Sequence, residues 1–178
     1  MNKLILKFTD NFIYIKNKNK IIEEKLKNNI IQNTKIIDIE KFIEELNNII
    51  KKHKLNTLLI KSEIIIIIPS FYNKTDIFLI DYTFKILNYY NYKLIKESEI
   101  YAPLLENNNA VLSLWNKDGE ISYKEKGQII SEYYKINKKI NKNVENIIVI
   151  NNTIHHKINK NNAIYLEPNE YYIINKIK

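Results

Sequence analysis

Asp10, Asp76, Asp81 and Asp118 are the acids whose spacing could do chemistry, because two-metal hydrolysis of phosphodiesters needs clustered carboxylates to hold Mg2+. Asp10 ends the apolar run from Leu4 to Phe8, where a strand would deliver it to a turn. A plainer reading accounts for all four: Asp10 and Asp118 form turns, and Asp76 and Asp81 fall on the solvated side of a helix. Ser70 follows Pro69 at the carboxyl end of an isoleucine run, where many α/β proteins place a nucleophile or ligand contact. Its surroundings, Pro69-Ser70-Phe71-Tyr72, lack the glycines of a nucleophile elbow, and no His–Asp partnership is legible nearby. His155 and His156 are adjacent, so they point to different sides of a helix or strand, and only His53 remains to join them. With no cysteine in the chain, a zinc site is not expected, and His53 reads as a partly buried packing residue near a helix end.

The aromatic load is heavy. Thirteen Tyr, grouped as Tyr89-Tyr90-Tyr92, Tyr133-Tyr134 and Tyr171-Tyr172, join Trp115 and Phe71-Tyr72. Such rings interspersed with Lys can stack single-stranded bases, can act as hot spots in a protein interface, or can cap core edges with their hydroxyls in water. The net charge of +8 invites a nucleic-acid or anionic-membrane partner. All the basic residues are Lys, however, and Arg is the side chain that reads guanine edges and phosphates bidentately. An Ile-, Asn- and Lys-rich chain is also what an A+T-rich coding sequence produces, so the charge is discounted as compositional drift. A basic nucleic-acid-binding or processing protein stays as the alternative function.

The elements that must position these residues are marked by periodicity. Ile64 to Ile68, closed by Pro69, is apolar at every position, as expected of a strand covered on both faces of an α/β sheet. Leu4–Phe8, Phe12–Ile15 and Ile21–Leu26 read as an opening antiparallel meander turning at Asp10-Asn11. Ile39, Phe42, Ile43, Leu46, Ile49 and Ile50 share one helical face, with Asp38 as N-cap and Lys51, Lys52 and Lys54 at the carbonyl end. A second helix is expected from Thr75 to Tyr90, capped by Asn73 or Thr75, then a brief strand at Leu94-Ile95 and a short helix from Glu99 to Glu106 with Pro103 in it. Asn116-Lys117-Asp118-Gly119 predicts a hairpin turn between strands 110–115 and 121–123. Ser131–Ile140 is expected to be helical, Ile147–Ile150 and Ala163–Leu166 to be strands, and 169–178 a helix or a strand.

Length suits a single domain, and absence of cysteine fits a cytoplasmic protein. No secretory signal is visible, and no stretch approaches the roughly 18 uncharged apolar residues of a membrane span.

This order of elements resembles the first domain of actin-like proteins, above all the bacterial rod-shape-determining actin homologues, with related pilus and cell-division adaptors nearby. Carrying the likeness are Phe12 to Glu24 as the second and third strands, Asn33 to Asp38 before the first helix, and Ile64–Pro69 with the helix after it. Leu94–Leu105 resembles the family's strand-to-helix step with its Glu, Val144–Asn151 the strand before its adenosine-binding glycines, and Ala163–Pro168 its last strand. The resemblance implies a ribonuclease-H/actin-like fold: one mixed sheet in which the meander is followed by parallel strands with flanking helices.

The family cradles phosphate in hairpins of the form D-x-G-T and D-x-G-G-G-T, because glycine lets backbone N–H groups approach the anion. The matching positions here are Thr9, Asp10 and Asn11, and then Trp115, Asn116, Asp118 and Gly119, where side chains replace hydrogen. Gly119 and Gly127 are the only glycines, and the segment from Tyr123 to Val144 is far shorter than the second domain the family inserts. A reduced relative is therefore expected, with no bound cofactor, no metal and no catalytic residue, working as a binding or scaffold module for a protein partner such as a cytoskeletal or cell-envelope complex. An enzyme site near Asp10, Ser70 and Asp118 is the third reading, and no residue set argues for it.

Overall fold

A computed structural model describes residues 3–10, 12–17, 20–27, 29–106, 108–114, 118–135, 140, 144–151 and 163–166. The chain divides by its internal contacts into two compact units, 1–68 with 72–95 and 69–71 with 96–178, where the sequence suggests one domain.

The first unit is built on a five-stranded sheet. β1 (Lys3–Phe8), β2 (Phe12–Asn17) and β3 (Lys20–Lys25) form the expected antiparallel meander. β6 (Glu63–Ile68) lies parallel to β1 on its other side, and β7 (Tyr92–Lys96) completes the order β3-β2-β1-β6-β7. Ile64 to Ile68 are all at most 3% exposed, so the isoleucine run is covered on both faces, as its lack of alternation predicts.

α1 (Ile39–Lys52) and α3 (Lys74–Ile86) bury Phe42, Leu46, Ile49, Ile80 and Phe84 in one core with Leu4, Leu6, Ile13, Ile15, Ile64 and Ile66. Each such isoleucine contributes about 1.5–3 kcal/mol through burial. Asp38 caps α1 by accepting from the Lys41 N–H, as its position predicts. Asn73 caps α3 through a reciprocal box in which its side chain accepts from the Asp76 N–H while Asp76 accepts from the Asn73 N–H. α3 stops at Ile86 rather than Tyr90, because Asn88 turns the chain out at φ 62°.

Three elements of this unit escape the sequence reading. A short helix α2 (Asn56–Lys61) precedes β6, and β4 (Ile31–Gln32) pairs with β5 (Lys35–Ile36) through a two-residue turn. Both turn residues are left-handed, Asn33 at φ 52° and Thr34 at φ 64°. That is the geometry a two-residue hairpin favours, and one that a β-branched Thr adopts only at a cost.

The second unit has its own five-stranded sheet, which corrects the expectation of a single one. β8 (Asn109–Leu114), β9 (Asp118–Glu125) and β10 (Gln128–Lys135) form an antiparallel meander. β11 (Asn146–Asn151) runs parallel to β8, and β12 (Ala163–Leu166) parallel to β11. The order β10-β9-β8-β11-β12 repeats that of the first sheet, a three-strand meander followed by a strand parallel to its first. Hydrophobic patterning marks strands but does not say which sheet each one joins, so the repetition was invisible in the sequence.

β10 replaces the helix expected from Ser131. Lys126 at φ 49° and Gly127 at φ 81° make a two-residue turn, and Ile129, Ile130, Tyr133 and Tyr134 are strand formers that pair along the whole of β9. α4 (Glu97–Tyr101) and the 3-10 turn at Ala102–Leu104, which carries Pro103, start two residues before the expected helix. The strand at 163–166 is as expected, and 169–178 lies outside the described residues.

Candidate functional site

Asp10 and Asp76 both reach the β4–β5 hairpin, Asp10 at Asn33 and Thr34 and Asp76 at Lys35. In the first unit, Thr9 is completely buried and closes the β1–β2 turn: its N–H donates to the Phe12 carbonyl at 2.9 Å and its Oγ1 accepts from the Phe12 N–H at 3.1 Å. Asp10 reaches across to the strained β4–β5 turn, where Oδ2 accepts from the Asn33 N–H at 3.0 Å and Oδ1 from the Thr34 N–H at 2.6 Å. Tyr72 donates its hydroxyl to the Thr34 carbonyl, so three hydrogen bonds hold a turn whose backbone is unfavourable on its own. Asp10 is thus a structural clamp, which its turn-forming context only partly suggested. Asn11, Trp115 and Asn116 lie outside the described residues.

Asp76 is buried rather than solvated: it completes the α3 cap and pairs with Lys35 at 3.3 Å. Asp81 is half-buried, pairs with Lys85 at 2.6 Å and accepts from the Tyr92 hydroxyl. These partners, Lys85 foremost, hold its carboxyl below the usual range. Asp118 opens β9 opposite Lys135 of β10, and Gly119 follows it as the first β9 residue paired with β8. A Cβ at Gly119 would come within 2.3 Å of the Ser113 carbonyl oxygen and 3.2 Å of the Leu114 Cα, so glycine is required there by the close approach of β8.

His53 caps α1 and meets Glu24 at 2.5 Å, and Lys52 also pairs with Glu24 at 2.8 Å. Its partial burial is as its position suggested, but a carboxylate partner rather than apolar packing holds it. His155 and His156 lie outside the described residues, and among the described residues no group of three or more His, Cys, Asp or Glu could hold a metal ion.

Ser70 is the one candidate drawn into a polar cluster, and that cluster lies within the second unit. Its N–H donates to Glu120 Oε2 at 2.7 Å, and its hydroxyl donates to Ser98 Oγ at 2.8 Å while accepting from the Ser98 N–H at 3.0 Å. Ser122 donates to Glu120 Oε1 at 3.2 Å and contacts Ser131 Oγ at 2.9 Å. Ser113 donates to Glu97 Oε1 at 3.1 Å.

Glu97 and Glu120 are each 1% exposed. Burial, then the charge of Glu97, push the Glu120 carboxyl up from 4.5 to about 7, against the hydrogen bonds from Ser70 and Ser122. The register explains the cluster. Ser113 faces Glu120 across β8–β9, and Ser122 faces Ser131 across β9–β10, so these polar residues share one side of the sheet. Leu112, Leu114, Ile121, Tyr134 and Val149 fill the apolar core of the other.

Sequence reasoning missed both glutamates. Ser113, Glu120, Ser122 and Ser131 alternate with apolar residues, which reads as a solvated strand face, yet that face is covered.

Among the exposed large apolar residues, Phe78, Tyr82 and Ile86 lie four apart along α3, at 60%, 42% and 51% exposure, and Tyr90 follows at 69%. Phe78 and Tyr82 stack with centroids 6.1 Å apart. By contrast Tyr89 and Tyr134 are buried, and the Tyr89 hydroxyl donates to Asn56 Oδ1 rather than lying in water as the core-edge reading has it. No helix of the described residues is long and apolar enough to cross a membrane.

Two solved structures of MreB5 of Spiroplasma citri resemble the chain, one bound to AMPPNP and one to ADP, both at TM-score 0.57 and 11% identity. They match over 76% of this chain and 53% and 52% of their own lengths. The ethanolamine utilization protein EutJ from Carboxydothermus hydrogenoformans matches at TM-score 0.55 and 12% identity, over 76% of this chain and 52% of that one. The chain thus spans about half the length of these solved proteins. No sequence profile of a known family matches it, and no curated protein does. The fold is actin-like, as the order of elements suggested.

Proposed function

We propose that this actin-like chain is a binding or scaffold module that has lost ATP binding and works through a protein partner, of the cytoskeletal or cell-envelope kind. The observation that carries the reading is Asp10. Where the family's first phosphate hairpin presents glycine N–H groups to an anion, this hairpin holds a buried Thr9 closed on Phe12 and an Asp10 whose carboxylate grips the 33–34 turn. MreB5, whose fold is similar, is bound to AMPPNP or ADP in its structures, and the reading rests on the hairpin at which this chain departs from the family's glycine pattern. At the second hairpin, Gly119 is occupied by ladder packing against β8.

The exposed row along α3 supports a protein partner, because contiguous apolar surface of this kind marks interaction sites. The basic-surface alternative has less support. Lys27, Lys35, Lys41, Lys52 and Lys93 each pair with a carboxylate of their own unit, which lowers the positive charge they offer to a phosphate backbone. Calorimetric titration with ATP and Mg2+ tests the loss of nucleotide binding: no saturable heat is expected, and Mg2+-dependent binding at micromolar affinity would overturn the reading.

A further inference from the structure

An open sheet ends in strands with one row of backbone groups turned outward, and proteins guard such rows with short strands, bulges, proline or charge. Of the edges of the two five-stranded sheets, β3 carries Lys20, Glu23, Glu24 and Lys25 among its six residues, β7 has five residues that include Lys93 and Lys96, and β12 has four. β10 differs. It has eight residues, no proline and only Glu132 and Lys135 as charges, and it pairs with β9 at eight consecutive positions without a bulge. Among the described residues it has a neighbouring strand on one side only.

The turn before β10 fixes which groups face outward. Lys126 and Gly127 are both left-handed, so Glu125 and Gln128 close a two-residue hairpin as a bonded pair, and bonded pairs alternate from there along the ladder. Ile130, Glu132 and Tyr134 therefore bond to β9, whereas Ile129, Ser131, Tyr133 and Lys135 direct N–H and C=O away from it. Ile129 also leaves its side chain 38% exposed at this rim.

We propose that β10 is a docking edge for a second copy of this chain, the two β10 strands pairing antiparallel about a two-fold axis at Ser131 so that the two second-unit sheets become one.

The strand is complementary to itself in this register. A two-fold axis normal to the sheet keeps each face on its own side, so facing residues must lie an even number of positions apart. With Ser131 opposite Ser131, Ile129 meets Tyr133 of the second copy, Ile130 meets Glu132 and Gln128 meets Tyr134. An aromatic ring on a β-branched side chain is a favourable cross-strand pair, and the symmetry makes it twice. The Tyr133 ring is already held edge-on by Phe71, with centroids 5.8 Å apart. No charge faces a like charge, whereas an axis at Glu132 would set the two Glu132 side chains against each other. Positions 129, 131 and 133 of the two strands would exchange about six hydrogen bonds. Those bonds would suit any extended segment; the matched side chains, and an axis that falls on a small residue, single out a second copy.

The chain has no cysteine, so Ser131→Cys introduces a single thiol, and at the axis the two Cα atoms would stand about 5.5 Å apart, within disulfide reach. Mild oxidation is expected to give a covalent dimer, while Ile130→Cys, off the axis, stays largely unlinked. Sedimentation equilibrium and hydrogen exchange of the unsubstituted chain give readouts that need no variant. From about 5 to about 500 µM the mass is expected to rise toward twice 21.3 kDa, and exchange of the Ile129 and Ser131 amides to slow by at least about tenfold. Amides of β1 are expected to change less than about twofold. Ile129→Pro removes an outward N–H and no bond of the β9–β10 ladder, and is expected to leave a monomer. A chain that stays monomeric at the highest concentration would overturn the proposal. So would a dimer in which the Ile129 and Ser131 amides exchange as in the monomer or which survives Ile129→Pro, and so would Ser131→Cys linking no better than Ile130→Cys.

Discussion

Replacing Asp10 by Ala separates a structural clamp from a ligand-binding acid. The substitution removes the acceptors of two backbone donors, the Asn33 N–H at 3.0 Å and the Thr34 N–H at 2.6 Å. Hydrogen bonds to a charged group contribute roughly 1.5–3 kcal/mol each, and the Asn33 N–H lies toward solvent, which puts that bond at or below the low end. Against them stands the left-handed backbone of Thr34, φ 64°, which costs about 1–2 kcal/mol and persists because its surroundings fix it. Tyr72 still bonds the Thr34 carbonyl in the variant, so the turn is loosened rather than abolished. The expected loss is about 2–3 kcal/mol. With a urea dependence of about 2 kcal/mol per molar, the midpoint of the first unit's unfolding moves down by roughly 1–1.5 M. Circular dichroism through a urea series, with exchange of the Thr34 amide as a local probe, reads both effects, and Asp10→Asn, which keeps one acceptor, is expected to fall between. A stability within about 0.5 kcal/mol of the parent would refute the reasoning, since a carboxylate that positions a ligand can be removed without loosening the fold.

Gly119→Ala forces a Cβ to 2.3 Å from a backbone carbonyl, so β8 and β9 must part; a loss of more than about 2 kcal/mol, or failure to fold, is expected in thermal unfolding. Asn73→Ala breaks the α3 capping box and is expected to cost about 1 kcal/mol by urea titration. The Glu120 carboxyl keeps its proton in the fold up to about pH 7 while the unfolded chain releases it near 4.5, so the unfolded state binds fewer protons between those values and stability falls as pH rises through them, by about 3 kcal/mol in all. A melting temperature that holds level or rises from pH 5 to 7.5 would contradict that sign. Phe78→Ser with Ile86→Ser removes an exposed row from no core, so the melting temperature is expected to stay within about 2 °C of the parent.

The elements whose environment follows from their own residues were legible. Ile64–Ile68 reads as doubly covered because no position is polar, and α1 follows from its 3.6-residue spacing and the Asp38 cap. What depended on partners was not. Ser131 to Lys135 scans equally well as helix or strand, and its pairing with β9 decides the matter. Asn33-Thr34 carries no glycine, so a turn with two left-handed residues gave no signal; its stability comes from Asp10 and Tyr72, distant in sequence. Asp76 looked solvated on the α3 helix but belongs to its cap, where the Asn73–Asp76 spacing was the available clue. The buried glutamates were hidden for the same reason as the second sheet. Alternating polar residues imply water on one face, and only the packing of α4 and Ser70 over that face shows otherwise.

That the Thr9–Asp10 hairpin holds the fold and not a phosphate is tested most directly by following the amide resonances of Thr9, Asp10, Asn33 and Thr34 while AMPPNP and Mg2+ are added to millimolar concentration. The account predicts that all four stay in place. Saturable shifts at those amides, reversed when the Mg2+ is chelated, would contradict it.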